Sequence, residues 1–258
     1  MAGSHSASEV PVVASRVWVE ERIVRQDYGQ FSLSGFDDED EEDVPEFDEA
    51  DVLDAALEGD GIAQQGDYLV ILSPHQCNFE MPLAIEVWDE QPAGEEADEE
   101  EWPEAFEANL NIGRKGLGYT SPTMGVTTFS PPPGAYRALI TGRGFVAHGW
   151  PGSATPGDNW RIQLWPADPA SPIPARRLRD WKHSIIVDVD ANGEPTRIWR
   201  ASIPHTVIGV QYASPTPDGR RFYRLDVQPP AGASIRTSVF GPNADQPGRW
   251  ELQSWWTS

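Results

Sequence analysis

The stretch that decides the fold is residues 134–167, GAYRALITGRGFVAHGWPGSATPGDNWRIQLWPA, which predicts two strands joined by a long loop. At both ends of the stretch, side chains alternate with a period of two, which places each set on one face of a strand. Prolines precede the first strand and follow the second, and the glycines between them permit turns and bulges. The stretch therefore predicts a hairpin at the centre of a β domain. It contains no nucleophile–base pair and no metal-ligand spacing.

The composition extends this prediction to the whole chain. Its 258 residues include 24 Pro and 23 Gly, spread between short apolar runs, and 39% of them are hydrophobic. Short strands separated in this way favour an all-β fold, and we predict two β-sandwich-like units with one or two short helices. We expect a disordered lead-in at residues 1–15, an acidic β-sandwich domain with acidic loops at 16–169, a linker at 170–183 and a second β unit at 184–258.

Charge is distributed unevenly along the chain, whose formal net charge is −22. Residues 1–110 contain 31 acidic and 3 basic residues, a net charge of −28, whereas residues 111–258 contain 10 acidic and 16 basic residues. A first half of this charge repels nucleic acid and anionic membranes, and it attracts a basic protein. The alternative is that the acidic loops only keep the protein in solution.

Two short runs, at residues 37–43 and 95–101, concentrate the carboxylates. Mutual repulsion predicts that the runs are solvated, extended loops. Three aromatic side chains lie within or beside them, and each either anchors a partner or packs the loops onto the sheet. The predicted partner-binding residues are Asp37, Asp38, Glu39, Asp40, Glu41, Glu42, Asp43, Glu95, Glu96, Asp98, Glu99, Glu100 and Glu101, with Phe36, Phe47 and Trp102 as the aromatic anchors.

The segment after the first run predicts a short helix. Pro45 favours its start, and an apolar stripe recurs at helical spacing, formed by Phe47, Ala50, Leu53, Ala56 and Leu57. Gly59 or Gly61 ends it. We expect the apolar stripe of this helix to pack on the sheet.

No pattern in the sequence indicates an active site or a metal site. The chain lacks the GxSxG, HExxH, CxxC and GxGxxG motifs. His75 and Cys77 are two residues apart without further ligands nearby, and the acidic residues around Asn192 and Gly193 indicate a hairpin turn rather than a calcium loop. We therefore predict no metal, no cofactor and no catalysis. A hydrolase whose paired carboxylates meet only in space remains an alternative.

The eleven Trp residues support another alternative, a β-sandwich that binds carbohydrate or a small ligand. Trp150, Trp160, Trp255 or Trp256 would then form the stacking platform. Most of the Trp residues alternate with polar residues within the predicted strands, which favours packing in the core.

The cysteine content, the length of the apolar runs and the N-terminal sequence predict the cellular compartment. Cys77 is the single cysteine, so no intramolecular disulfide forms. No apolar run approaches the roughly 18 residues of a membrane span, and the N-terminus has no basic, apolar leader. We expect a cytoplasmic bacterial protein.

Five segments of residues 16–167 follow one another in a recognisable order. They are DYGQF at 27–31, DEADVLDAALEGDGIA with GDYLVIL at 48–72, LAIEVWDEQP at 83–92, PPGAYRALITGRG at 132–144 and NWRIQLWPA at 159–167. In this order the chain resembles the competence protein J family, whose members inhibit a partner DNA nuclease. The resemblance does not extend to residues 176–258, and the acidic runs are heavier than the family requires.

Charge and resemblance predict the same function from independent features. A nuclease binds polyanionic DNA in a basic cleft, and a carboxylate-rich protein occupies such a cleft as a mimic of the phosphates. We therefore predict a non-catalytic immunity protein or inhibitor. Its partner is a basic protein, either a nuclease or another toxin, and it binds neither nucleic acid nor membrane.

Overall fold

The computed structural model describes residues 14–36, 48–74, 79–92, 101–145, 158–183, 185–200, 203–242 and 248–257. Within these ranges, the strands form three sheets, accompanied by one α-helix and one 3-10 helix. The predicted all-β class with a few short helices is confirmed.

The first eleven strands build two sheets. They are β1 (Arg16–Gln26), β2 (Gln30–Phe36), β3 (Ile62–Gln65), β4 (Tyr68–Leu72), β5 (Phe79–Trp88), β6 (Glu104–Ile112), β7 (Gly116–Thr120), β8 (Thr127–Phe129), β9 (Gly134–Arg143), β10 (Asn159–Pro166) and β11 (Arg176–Arg179). Six of them form sheet A, in the order β1-β5-β10-β9-β6-β11. The other five form sheet B, in the order β3-β4-β2-β7-β8.

The predicted hairpin lies in the middle of sheet A. Strands β9 and β10 pair antiparallel, with Ile162 opposite Ile140 and Leu164 opposite Ala138. Strand β10 also pairs with β5, in the parallel direction. All four of these side chains are fully buried, so the alternation in the sequence identifies the face that packs into the core.

Trp160 of β10 is the largest fully buried side chain of the core. Phe31 of β2 packs against it edge-on, with ring centroids 5.0 Å apart. Phe106 of β6 and Phe145, which follows β9, also contact it. Sheets A and B therefore pack face to face through aromatic side chains, which bury large areas and prefer such tilted arrangements.

A tight turn carries the chain from sheet A to sheet B. Tyr28 and Gly29 both have positive φ values, 53° and 67°, as a two-residue turn between β1 and β2 requires. Strand β2 therefore begins at Gln30, because residues 27–29 form the turn.

Helix α1 (Glu49–Glu58) packs on sheet B. The carboxylate of Asp48 accepts a hydrogen bond from the backbone N–H of Ala50 at 2.9 Å, which caps the N-terminus. Val52 and Ala56 are buried against Val70 of β4, and Gly59 ends the helix. The helix packs on the sheet as predicted, but its buried stripe differs from the predicted one, since Ala50 and Leu57 are exposed and Val52 is buried.

Replacing Asp48 by Ala should lower the free energy of unfolding by about 1 kcal/mol, because the first turn loses its cap. Urea unfolding measures this change. Asp54→Ala is the control, since it removes the same charge from an exposed position in the middle of the helix. Equal losses in the two variants would contradict a capping role for Asp48.

The last six strands form sheet C, in which each strand pairs with the next. They are β12 (Ile185–Val189), β13 (Pro195–Arg200), β14 (Ile203–Pro215), β15 (Arg221–Gln228), β16 (Ile235–Phe240) and β17 (Glu251–Thr257). Asp190 accepts hydrogen bonds from the backbone N–H groups of Asn192 and Glu194 and closes the β12–β13 turn. These hydrogen bonds hold the pKa of Asp190 below its ordinary value.

The segment predicted as a linker contains two ordered elements. Strand β11 pairs with β6 and extends sheet A. A 3-10 helix, Trp181–His183, then contacts β17, and Trp181 packs on Phe145 with ring centroids 5.6 Å apart. The buried cluster continues through Trp181 to Trp250 and Trp255, so the two units share one core.

In the described part of the chain, no helix has the length and apolar character needed to cross a membrane.

Candidate functional site

Most of the predicted partner-binding residues lie outside the described ranges. Phe36 is the last residue of β2. Glu101 and Trp102 are the two predicted residues whose side chains the structure places. Those outside the described residues are Asp37, Asp38, Glu39, Asp40, Glu41, Glu42, Asp43, Phe47, Glu95, Glu96, Asp98, Glu99 and Glu100.

Trp102 has a packing role at the end of the second acidic run. Trp102 is only 5% exposed. The Cζ atoms of Arg143 and Arg161 lie over its ring, 4.3 and 4.4 Å from the ring centroid. Glu101 forms an ion pair with Arg143. Of the two roles considered for Trp102, the structure therefore supports packing of the loop onto the sheet, and the side chain is not an exposed anchor.

Helix α1 presents carboxylates that the sequence analysis did not single out. Asp51, Asp54 and Glu58 are exposed on the side of the helix opposite Val52 and Ala56. We call these three residues the acidic helix face. No arginine or lysine among the described residues pairs with any of them.

The sequence around the helix explains why these carboxylates stay unpaired. Residues 26–113 contain 28 acidic residues and no lysine or arginine. Any ion pair there requires a cation from a distant part of the chain. That absence of cations is the signal from which the acidic helix face could have been predicted.

The carboxylates of sheet C are arranged differently, because arginines on neighbouring strands and turns neutralise five of them, whereas Asp190 accepts hydrogen bonds from its own turn. Most charges of sheet C are compensated locally, so most of the uncompensated negative charge of the described residues lies on the first unit. The pairs are Asp188–Arg197, Glu194–Arg221, Asp218–Arg220, Glu251–Arg220 and Asp226–Arg236.

Glu104 at the start of β6 is the most strongly perturbed carboxyl group. Its side chain has no exposed surface, and Arg177 Nε lies 3.0 Å from its carboxylate. The backbone N–H of Trp181 donates a hydrogen bond to it at 2.9 Å. Burial raises the pKa of Glu104 to about 7, and these two contacts oppose the rise. Because no substrate reaches a side chain without exposed surface, Glu104 is a structural carboxyl rather than a general acid.

A second buried carboxylate, Glu86, is also fully engaged. It pairs with Arg16 at 2.8 Å and accepts hydrogen bonds from Trp88 Nε1 and Gln163 Nε2. Neither Glu86 nor Glu104 is poised for the two-carboxylate hydrolysis considered above, because each is held by its own partners.

The tryptophan platform of the carbohydrate alternative is wrong for two of its members. Trp160 is fully buried and Trp255 is 6% exposed, because both face the core. Trp255 contacts His205 edge-on at 4.8 Å. Trp150 and the side chain of Trp256 lie outside the described residues.

Metal-binding side chains are not grouped in the part of the chain that the structure describes: no three of His, Cys, Asp and Glu lie together as a site requires. His75 and Cys77 fall outside that part.

Comparison with known proteins gives distant structural similarities. No protein-family model and no curated protein matches the chain. ComJ from Bacillus subtilis, described as an inhibitor of the DNA-degrading activity of NucA, matches at a TM-score of 0.38 and 15% identity, over 60% of this chain and 100% of ComJ. A protein described as crocagin biosynthetic gene J matches at a TM-score of 0.37 and 15% identity, over 61% of this chain and 100% of its own. The resemblance predicted from the sequence is confirmed as a distant one.

Proposed function

We propose that this protein is a non-catalytic inhibitor that binds a basic protein partner through the acidic surface of its first unit. The observation that carries the proposal is the uncompensated charge of residues 26–113, with 28 acidic residues and no lysine or arginine. The acidic helix face belongs to this surface, and no described arginine or lysine neutralises it.

The chemistry of such a surface favours a DNA-binding protein as partner. A cleft that binds DNA is lined by arginine and lysine side chains that contact phosphates. Closely spaced carboxylates offer the same charge, and they attract the cleft before contact is made. Among basic proteins, a nuclease or toxin is the class that the resemblance found in the sequence implies.

The two acidic runs are proposed to extend this surface on either side of helix α1. The first run precedes the helix in the sequence, and the second ends at Glu101 and Trp102, which Arg143 and Arg161 hold against sheet A. Trp102 is then a positioning residue that fixes where the second run leaves the sheet. The candidates for direct contact remain the carboxylates of the two runs with Phe36 and Phe47.

The test is a DNA cleavage assay with basic nucleases encoded by neighbouring reading frames. At a fixed nuclease concentration, increasing amounts of the full chain should abolish cleavage at about one chain per nuclease. The chain alone should not retard DNA in a mobility assay, which excludes protection of the substrate. Undiminished cleavage with every such nuclease, or retardation of the DNA by the chain itself, would overturn the proposal.

A further inference from the structure

A polar groove of about 460 Å³ lies where the β3 edge of sheet B meets the β6–β11 edge of sheet A. Three elements enclose it: strand β3 with its turn into β4, the end of β6, and the extended residues 172–175 before β11. Helix α1 packs on β3 and β4, so the groove and the acidic helix face belong to the same unit.

Each side-chain amide that lines the groove donates at least one N–H group to the protein. Gln64 Nε2 donates to the backbone oxygen of Asn109 at 2.6 Å, and Asn109 Nδ2 donates to the backbone oxygen of Ile173 at 2.6 Å. Asn111 Nδ2 donates to the Asp67 carboxylate at 2.8 Å. Each partner is an oxygen that only accepts, so these contacts fix which end of each amide is the nitrogen.

The amide oxygens are therefore open to a ligand, together with the second N–H group of Asn109 and of Asn111. No described group donates to the side-chain oxygens of Gln64, Asn109 or Asn111, and one oxygen of the Asp67 carboxylate is also without a donor. The three amide side chains thus offer acceptor oxygens to the groove, and Asp67 adds a negative charge.

Cationic side chains are missing from the same wall. No lysine, arginine, histidine or hydroxyl side chain lines the groove, and Pro172 and Pro174 have no backbone N–H. Arg137 is opposite Asn109 in the β6–β9 ladder, but it is not part of the wall. An anion meets the charge of Asp67 and no cation here, whereas a cation meets more acceptors than competing donors.

We infer that the groove binds an arginine side chain. A guanidinium group is a planar cation with five N–H donors and no acceptor, so it matches several carbonyl oxygens beside one carboxylate. Lysine has three donors on a compact ammonium group and satisfies fewer of these oxygens. The inference rests on the proposed function only for the origin of the arginine, which is then a side chain of the basic partner.

Such a site gives the acidic surface a directional contact. Charge alone accelerates encounter, whereas tight binding needs a few side chains seated in pockets, and arginine is among the residues that most often take this role.

The experiment is an NMR titration of the isotope-labelled full chain with three small probes. They are the N-acetyl methylamides of arginine, of lysine and of citrulline, the last being the uncharged counterpart of arginine. We expect saturable shifts of the side-chain amide signals of Gln64, Asn109 and Asn111 with arginine, binding at least threefold weaker with lysine, and no saturation with citrulline.

Two variants with the same change of charge distinguish a specific arginine site from attraction by the overall negative charge of the protein. Asp67→Asn should raise the dissociation constant for arginine at least threefold, whereas Asp54→Asn on the acidic helix face should leave it nearly unchanged. Equal effects of the two variants, equal binding of arginine and citrulline, or no saturable shift would each overturn the inference. If the chain inhibits the nuclease but does not bind arginine, the inference about the groove is wrong and the proposed function stands. If it binds arginine but inhibits no nuclease, the groove is an arginine site and the proposed function is wrong.

Discussion

Neutralising the first acidic run together with the acidic helix face is expected to slow association with the basic partner about tenfold or more at low salt. The variant replaces every acidic residue of positions 37–43, and Asp51, Asp54 and Glu58, by Asn or Gln. These carboxylates attract the partner over a distance before contact, and a screening length of about 8 Å at 0.15 M salt limits that attraction. The salt dependence of the association rate should therefore become flatter, and the dissociation rate should change less.

A smaller matched pair shows whether position or total charge is responsible. The helix variant changes only Asp51, Asp54 and Glu58. The control variant changes Glu21, Glu90 and Asp168, which are exposed and lie outside residues 37–60. Both have the same net charge, so stopped-flow binding at two salt concentrations compares the effect of location alone. If both variants slow association equally, the acidic helix face has no special role, and an unchanged rate in the large variant would mean that the acidic residues only keep the protein in solution.

The parts of the fold that the sequence predicted are those fixed by local patterns. The β9–β10 hairpin follows from strict alternation, since Trp160, Ile162 and Leu164 all face the core. Helix α1 follows from apolar spacing and a terminating Gly59, although it begins at Glu49, after the capping Asp48, and not at Pro45.

Strand β11 was not predicted because its cause lies far away in the chain. The sequence RRLR shows no apolar alternation, and the segment is a strand because its backbone pairs with β6, where Arg176 and Arg177 also form ion pairs with Glu107 and Glu104. A basic run that looked like part of a linker thus neutralises two carboxylates about seventy residues earlier.

The candidate site was predictable in charge but not in detail. Composition showed that the first half is acidic, yet only the structure shows which carboxylates have partners. Trp102 illustrates the limit, because the two guanidinium groups that enclose it belong to Arg143 and Arg161 on other strands. The sequence does not show which distant residues contact each other. A tryptophan beside an acidic run is therefore predicted equally well to be buried or exposed.

The junction between sheet A and the 3-10 helix should make the stability of the protein depend on pH through one residue. The pKa of Glu104 is about 7 in the folded protein and 4.5 ordinarily, because burial disfavours the charged form. Arg177 and Lys182 oppose this shift, and Asp180 adds to it. The folded state therefore holds the proton more tightly than the unfolded state does.

The sign of the effect follows directly. The stabilisation is complete below pH 4.5 and is lost as the pH rises through about 7. The complete loss is on the order of 3 kcal/mol, since a shift from 4.5 to about 7 is multiplied by 1.36 kcal/mol for each pKa unit. Glu104→Gln keeps an oxygen for the Trp181 N–H and cannot ionise, so this component of the pH dependence should disappear.

The measurement is the free energy of unfolding in urea between pH 5 and pH 8, for the wild type and for Glu104→Gln. Subtracting the two curves removes the repulsion among the other carboxylates, which both proteins share. Glu107→Gln is the control, because Glu107 lies on the same strand and pairs with Arg176; this variant should keep the pH dependence of the wild type. Arg177→Met should steepen the dependence, since it removes the cation that favours ionised Glu104. Parallel curves for the wild type and Glu104→Gln would mean that the buried carboxyl does not titrate in this range.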